Sequence, residues 1–270
     1  MIDELFSIGS FSISPFGVLL VLALLASYFQ LRNGLVRSGL GDDDDASTIV
    51  FFCGLFGILG GKAYYAMLVG DWSMIFDRAG IVWYGSLIAG AVAFILTVRS
   101  RRIPLPGAFD AAAPALPLGY AVGRMGCFLV GDDYGVPTDL PWGMVFEKGL
   151  PPTTAGILRR HFNIEISPEI ADDALIAVHP TQLYTVAASL VIFVGALWLR
   201  NRLRLKSGGL FMIVMMALMA ERFLVEFVRA KDDRFFGTFT LAQLISVAIF
   251  VGVALLAWRR GLRAEHAEAT

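Results

Sequence analysis

The residues with the clearest capacity for chemistry lie in one glycine-rich stretch, Gly123-Arg124-Met125-Gly126-Cys127-Phe128-Leu129-Val130-Gly131-Asp132-Asp133-Tyr134-Gly135. Arg124 sits inside an apolar segment, where a cation costs about 2.5–3.5 kcal/mol at the bilayer centre, so it requires an anionic partner. That partner is either a ligand, such as a lipid phosphate, or a carboxylate such as Asp110 or Glu226 that only ties helices together. The glycines remove side-chain bulk and let a ligand approach the backbone.

A second set of charges lies further along the chain. Arg222, Glu226 and Arg229 are spaced by four and three residues, so they project from one helical face. Pairing Arg222 with Glu226 alone leaves Arg229 and Arg124 with less compensation than burial requires. Because arginine binds phosphate through paired N–H groups and stabilises a departing phosphate, the two sets predict a phospholipid headgroup as ligand. A transporter is the alternative, disfavoured because the sequence shows no inverted repeat.

The elements that must position these residues are membrane spans. The 270 residues are 57% hydrophobic and 17% charged, with a mean hydropathy of +0.68, which is typical of a polytopic membrane protein. A net charge of −1 without a basic face argues against a nucleic-acid partner. Cys53 and Cys127 lie in apolar segments and indicate neither a disulfide framework nor a metal cluster.

The apolar runs predict an all-α polytopic membrane protein with about seven transmembrane helices, built as a single domain over 1–270. The spans are expected at about 14–31, 48–69, 82–99, 108–130, 181–199, 209–228 and 239–258. Pro114 and Pro117 predict a kink in the fourth span. Residues 131–178 are polar and proline-rich, so we expect an irregular extracytoplasmic loop or lid rather than a mere connection. The run Asp42 to Asp45 is expected to cap a helix rather than bind Ca²⁺.

Basic clusters follow the first, third, fifth and seventh spans, which places those ends in the cytoplasm by the positive-inside rule. The N-terminus is then outside and the C-terminus cytoplasmic. The acidic start over residues 1–5 favours a retained first span over a cleaved signal peptide. Both arginine sets fall in the outer half of the membrane, beside the 131–178 lid.

For each of the other polar residues in or beside the spans, two interpretations are possible. Lys62 either snorkels to the interface or faces the same anionic site as Arg124. His179 either caps the fifth span or belongs to the site. Gln182 and Tyr184 either pack between helices or contact the ligand. The thiol of Cys127, which lies in an apolar span, is expected to be inert.

Short motifs extend over nearly the whole chain. They are Gly60-Gly61-Lys62, Tyr84-Gly85-Ser86-Leu87-Ile88, the Gly123 to Gly135 stretch, His179-Pro180-Thr181-Gln182-Leu183-Tyr184, Arg222-x-x-x-Glu226-x-x-Arg229 and Gln243-x-x-Ser246. Each motif is weak alone. Because of the order of these motifs, their spacing and their placement on the spans, the chain resembles the bacterial prolipoprotein diacylglyceryl transferases.

This resemblance implies a catalytic domain in the bacterial cytoplasmic (inner) membrane that uses no metal and no soluble cofactor. It implies transfer of diacylglyceryl from phosphatidylglycerol to the thiol of a lipobox cysteine in a prolipoprotein, with release of glycerol phosphate. The catalytic candidates are then Arg124, Arg222, Glu226, Tyr84, Asp132 and His179. The candidates for binding phosphatidylglycerol are Arg124, Arg222, Arg229, Lys62, Gly85, Gly135, Gln182 and Tyr184.

The attacking species in such a transfer is a thiolate, so some group must accept the proton of the cysteine. Many family members carry His where this chain has Tyr84, whose reference pKa of about 10 makes it a poor base. Tyr84, His179 and Asp132 therefore stay open as proton acceptors. The chain departs from the family pattern at four other positions. Members often carry Asn in place of Cys127 and Val130, Tyr in place of Phe16, and Arg in place of Lys62. A non-enzymatic or substrate-altered phospholipid-binding relative of the same fold is the alternative.

Overall fold

The computed structural model describes residues 6–8, 11–76, 80–231, 234–236 and 239–262, so the acidic start at 1–5 lies outside the described residues. The chain forms two compact units. One consists of residues 24–115, and the other combines residues 1–23 with residues 116–270.

Helices dominate both units, which confirms the all-α fold class. In chain order they are α1 Pro15–Ser38, α2 Asp43–Val69, α3 Trp83–Ser100, α4 Leu105–Ala112, α5 Ala115–Val130, α6 Ala155–Phe162, α7 Thr181–Arg202, α8 Gly209–Val225 and α9 Leu241–Arg260. Short 3₁₀ helices cover Trp72–Phe76 and Glu226–Val228. Two small antiparallel hairpins pair β1 Phe6–Ile8 with β2 Phe11–Ile13 and β3 Arg234–Phe236 with β4 Phe239–Thr240.

Among the described residues, four helices are long and apolar enough to cross a bilayer: α1, α2, α7 and α9. A fifth span results when α4 and α5 are counted as one broken helix. The break contains Pro114, which confirms the predicted kink because proline removes a backbone donor and clashes with the preceding turn. The protein is therefore a multi-pass membrane protein. The predicted count of seven is not confirmed, since α3 and α8 are shorter, at 18 and 17 residues.

The acidic run before α2 is a helix cap. The Asp42 carboxylate accepts a hydrogen bond from the Asp45 backbone N–H at 3.0 Å, and the Asp45 carboxylate accepts one from the Asp42 N–H at 3.2 Å. This reciprocal capping box satisfies two donors that the first helical turn would otherwise leave unpaired. The prediction of a cap rather than a calcium loop is confirmed.

Glycines allow α2 and α3 to approach closely. A Cβ atom added to Gly60 would lie 2.6 Å from the carbonyl oxygen of Gly85, and one added to Gly85 would lie 2.6 Å from the Tyr64 Cβ. Small residues at such contacts are typical of helix packing in membranes. The contact leaves Lys62 and Tyr84 half-buried within the 24–115 unit.

Residues 131–178 are more ordered than the predicted irregular loop. They contain α6 and an apolar core in which Tyr134, Phe146, Leu158 and Val178 are buried. The rings of Tyr134 and Phe146 stack with their centroids 5.6 Å apart. Burial of these aromatic side chains stabilises the segment independently of regular backbone pairing. This core anchors the turn that follows α5, where the polar residues of the next section begin.

Candidate functional site

The site begins at Arg124, which lies on α5 and is only 9% exposed. Its Nη1 atom is 2.7 Å from the Oδ2 atom of Asp133, just beyond the end of the helix. Its Nη2 atom donates to the Tyr120 hydroxyl at 3.2 Å. A buried guanidinium needs both charge compensation and hydrogen-bond acceptors, and these two residues supply them.

Asp133 is the junction of the site, because the same Oδ2 atom also pairs with Arg229. Burial acts to raise the pKa of Asp133, but the guanidinium groups of Arg229 and Arg124 outweigh burial and hold that pKa well below its usual range. The backbone of Asp133 has φ +59°, a left-handed conformation that aspartate tolerates better than most residues. The turn thus directs one carboxylate toward two arginines that are far apart in sequence.

Glu226 continues the series on the other side of Arg229. Its Oε2 atom lies 3.2 Å from Nη2 of Arg222 and 3.7 Å from Nη1 of Arg229, and its side chain is fully buried. The hydroxyl of Thr240, at the N-cap of α9, donates to the other carboxylate oxygen at 3.3 Å. Glu226 therefore compensates both Arg222 and Arg229, whereas the pairing considered from sequence involved Arg222 alone, and Thr240 at the start of α9 holds the carboxylate in place.

Together these side chains form an alternating series, called the arginine chain below: Arg124, Asp133, Arg229, Glu226 and Arg222. Three guanidinium groups alternate with two carboxylates in this series, and the carboxylates of Asp132 and Glu221 also lie close enough to act on the same arginines. Guanidinium N–H groups held in this way can bind one further anion such as a phosphate. The predicted convergence of the two arginine sets is therefore present within one unit, linked by shared carboxylates.

The His179 to Tyr184 motif positions the turn that carries Asp133. The Thr181 hydroxyl donates to the Asp133 carbonyl at 2.7 Å, and the Gln182 amide nitrogen donates to the Asp132 carbonyl at 2.6 Å. The backbone N–H of Gly135 donates to the carbonyl of His179 at 2.8 Å. Packing of α7 against this turn thus brings the His179 to Tyr184 motif into contact with the end of the Gly123 to Gly135 stretch.

Asp132 lies beside the arginine chain but takes part in none of the ion pairs that form it. Burial, together with the neighbouring charge of Asp133, raises the pKa of Asp132 to about 6. The positive charges of Arg124 and Arg229 lower this pKa by a smaller amount. Its Oδ1 atom is buried and has no hydrogen-bond partner among the described residues. Asp132 therefore exchanges a proton near neutral pH, which is the property required of a general base.

His179 is engaged in a separate hydrogen-bonded row. The indole N–H of Trp142 donates to the Tyr184 hydroxyl at 2.8 Å, and that hydroxyl lies 3.0 Å from Nδ1 of His179. The row connects the 131–178 segment to the first turn of α7. It brings together two predicted residues, His179 and Tyr184, and adds Trp142, which no sequence pattern indicated.

The remaining predicted site residues, Lys62, Tyr84 and Gly85, belong to the 24–115 unit. Gly85 lies at the contact of α2 with α3, and Lys62 and Tyr84 are half-buried. Their assignment to the site stays a prediction. The residues that sequence reasoning missed are Asp133, Tyr120, Thr181 and Trp142. Only Asp133 carried a usable signal, since a second acid next to Asp132 follows the glycine that ends the helix.

The donor set does not fit a metal ion. The ligand atoms of Cys127, Asp132 and Asp133 lie within 4.8 Å of one another. Asp133 is already paired with two guanidinium groups, and among the described residues no imidazole completes the tetrahedral set that zinc requires. One thiol and one free carboxylate are also too few oxygen ligands for a hard cation. We therefore assign no metal to these three residues.

Gly135 is required by the close packing of this turn. A Cβ atom there would collide with the Val228 carbonyl oxygen and lie 2.7 Å from the His179 Cβ. We expect Gly135→Ala to destabilise the protein by about 1–3 kcal/mol through overpacking, measured by thermal unfolding in detergent. Gly123→Ala is the matched control, because a Cβ atom at Gly123 has no neighbour within 4 Å. Equal unfolding temperatures for the two variants would contradict this account.

Comparisons with known proteins identify the class of site. A family model described as prolipoprotein diacylglyceryl transferase matches residues 3–259. Proteins named phosphatidylglycerol–prolipoprotein diacylglyceryl transferase are similar over most of their length. The protein from Geobacter sulfurreducens is 29% identical, covering 91% of this chain and 90% of the relative. The protein from Xanthomonas oryzae pv. oryzae is 30% identical, and the match covers 94% of this chain and 90% of the relative. The protein from Rhodococcus jostii is 28% identical, and the match covers 90% of this chain and 69% of the relative. The resemblance drawn from the motifs is thereby confirmed, and the chain belongs to the prolipoprotein diacylglyceryl transferase family.

Proposed function

We propose that this protein transfers the diacylglyceryl group of phosphatidylglycerol to the lipobox cysteine thiol of a prolipoprotein and releases glycerol phosphate. The observation that carries the proposal is the arginine chain, which holds three guanidinium groups together at the ends of apolar helices. Membership in the transferase family supports the reaction class.

The reaction forms a carbon–sulfur bond and breaks the carbon–oxygen bond between the diacylglyceryl group and the phosphate. The leaving group keeps both electrons of the broken bond, so its phosphate gains a second negative charge. Guanidinium groups fixed in a dry site stabilise this charge without reorganising, which lowers the barrier to departure. In this mechanism Arg124 and Arg222 contact the phosphate, while Asp133 and Glu226 hold the guanidinium groups in position.

The proton of the attacking thiol needs an acceptor, and we propose Asp132. His179 is occupied by Tyr184, whereas the Oδ1 atom of Asp132 is buried and unpaired among the described residues. Because its pKa is raised to about 6, the carboxylate is mostly ionised at neutral pH and becomes protonated, and unable to accept, below that value. Tyr84 stays a candidate from the 24–115 unit.

We expect the transfer rate to fall about tenfold per pH unit below about pH 6, since only the ionised form of Asp132 accepts a proton. The measurement is thioether formation from pH 4.5 to 8 in phosphatidylglycerol vesicles. Asp132→Asn should lower the rate and remove the acidic limb. Asp139→Asn, an exposed acid in the same segment, should keep the wild-type profile. An acidic limb that survives in Asp132→Asn would assign the proton to another group.

We also propose a membrane topology with more spans than the four or five that the described helices provide. In it α3 and α8 also cross the bacterial inner membrane, which gives seven spans with the N-terminus outside and the C-terminus cytoplasmic. Support comes from the basic residues that end α1, α3, α7 and α9. The 131–178 segment then forms an extracytoplasmic lid, where a secreted precursor arrives. The partners are the membrane, phosphatidylglycerol and the lipobox, with no nucleic acid.

The deciding experiment mixes purified protein with phosphatidylglycerol vesicles and a lipobox peptide, and measures the peptide by mass spectrometry. A mass increase of one diacylglyceryl group on the cysteine supports the transferase. Lipid binding without this product would instead support the alternative, a non-enzymatic or substrate-altered phospholipid-binding relative.

A further inference from the structure

A cluster of buried polar side chains lies between α7 and α8; it contains Gln182, which helps to position the Asp133 turn, and three residues that have no role in the chemistry described so far. Gln182, Thr185 and Ser189 share one face of α7, at spacings of three and four residues, and Glu221 belongs to the buried face of α8. Ser189 is fully buried, and Gln182 and Glu221 are 1% and 7% exposed. We call these four residues the acceptor cluster.

Most polar atoms of the acceptor cluster lack hydrogen-bond partners among the described residues. The unpaired atoms are Gln182 Oε1, Ser189 Oγ and both carboxylate oxygens of Glu221. The Thr185 hydroxyl interacts with Glu221 across the helix contact, but it does not give either oxygen a well-formed hydrogen bond. Since the amide nitrogen of Gln182 already donates to the Asp132 carbonyl, its oxygen is left only to accept.

Buried polar groups are nearly always paired in folded proteins, so a group of unpaired acceptors indicates the place of a hydrogen-bond donor. A ligand that also reaches the arginine chain would supply this donor. Gln182 donates a hydrogen bond to the carbonyl of Asp132, next to Asp133 in the chain. Glu221 interacts electrostatically with Arg124, Arg222 and Arg229. The Nε atoms of Arg124 and Arg229 are themselves unpaired donors.

A ligand that satisfies both sets needs acceptor oxygens with negative charge for the arginines and neutral hydroxyl donors next to them. A phosphodiester that carries a polyol headgroup has this composition. We infer that the acceptor cluster is the subsite for the headgroup hydroxyls of the lipid donor, with Glu221 as the residue that selects a hydroxyl-bearing phosphodiester. This inference rests on the proposed transferase function.

The test compares two lipid donors of equal charge in vesicles, using the full-length protein and a lipobox peptide. One donor is phosphatidylglycerol, and the other is phosphatidylpropanol, whose three-carbon headgroup lacks both hydroxyls. Because a hydrogen bond to a charged group is lost with phosphatidylpropanol, we expect the wild type to favour phosphatidylglycerol by about 10- to 100-fold in kcat/KM. In Glu221→Met, which keeps the side-chain length without the carboxylate, this ratio should fall toward one.

In Glu221→Met the rate with phosphatidylglycerol should fall more than the rate with phosphatidylpropanol, which separates a loss of selectivity from a general loss of folding. Ser189→Ala should reduce the ratio less, because it removes a neutral partner. Glu169→Gln, an exposed acid on the 131–178 segment, should leave the ratio unchanged. Equal loss with both donors in Glu221→Met, or a wild type without preference, would overturn the inference.

A second measurement does not depend on turnover. Native mass spectrometry of the purified protein with an equimolar mixture of the two lipids reports the ratio of bound species. If no thioether forms with any donor, the proposed function fails, but a binding preference that disappears in Glu221→Met still supports the subsite. If thioether forms without discrimination in either measurement, the subsite alone is wrong.

Discussion

Replacement of Arg124 by alanine should abolish measurable transfer, with a loss of at least about 10³-fold in kcat, because the guanidinium stabilises the charge of the leaving phosphate. The side chain is buried and paired with Asp133 at 2.7 Å, so water cannot substitute for it as it would at a surface position. The measurement is diacylglyceryl addition to a lipobox peptide, followed by mass spectrometry.

Two further variants make this result interpretable. Arg124→Lys keeps the charge but loses the planar fork that binds phosphate at two points, so we expect partial activity. Arg160→Ala is the matched control, since Arg160 is largely exposed and pairs with Asp172 away from the arginine chain. Full activity in Arg124→Ala, with the protein inserted and folded, would remove the central support for the proposed mechanism.

Replacement of Asp133 by asparagine should have the largest effect on stability. It leaves the buried Arg124 and Arg229 without their shared counterion. Removing one partner from a fully buried ion pair typically costs about 3–5 kcal/mol, and because the Asp133 side chain is 36% exposed, water screens part of this loss and we expect a cost near the lower end of that range. Asparagine tolerates the left-handed backbone at this position, so the variant tests the charge rather than the turn. We expect a lower unfolding temperature in detergent together with a loss of transfer activity.

The control for this variant is Asp139→Asn, which removes one negative charge from an exposed position in the same segment. It should change the free energy of unfolding by less than about 0.5 kcal/mol. A phosphate analogue added at saturating concentration should partly restore the stability of Asp133→Asn, because a bound anion replaces the missing counterion. An unchanged unfolding temperature in Asp133→Asn would show that the two arginines are compensated elsewhere.

Several features of this protein followed from sequence because they depend on local order. Apolar runs indicated the membrane helices, Pro114 indicated the break before α5, and the Asp42 to Asp45 run indicated a cap. The three-and-four spacing of Arg222, Glu226 and Arg229 predicted that the three side chains project together, and Glu226 contacts both arginines. Each of these rests on helical periodicity or on a rule that acts within one turn.

What the tertiary structure decided is which groups from distant segments meet. Asp132 and Asp133 are adjacent and chemically alike, yet the left-handed turn places Asp133 between two arginines, whereas Asp132 is outside those ion pairs and its pKa is raised to about 6. The packing of α7 on that turn, through Thr181 and Gln182, joins motifs about fifty residues apart. Sequence spacing cannot determine such contacts, because they depend on how separate helices pack. Burial then dominates the pKa of Asp132, whereas the neighbouring guanidinium groups dominate the pKa of Asp133.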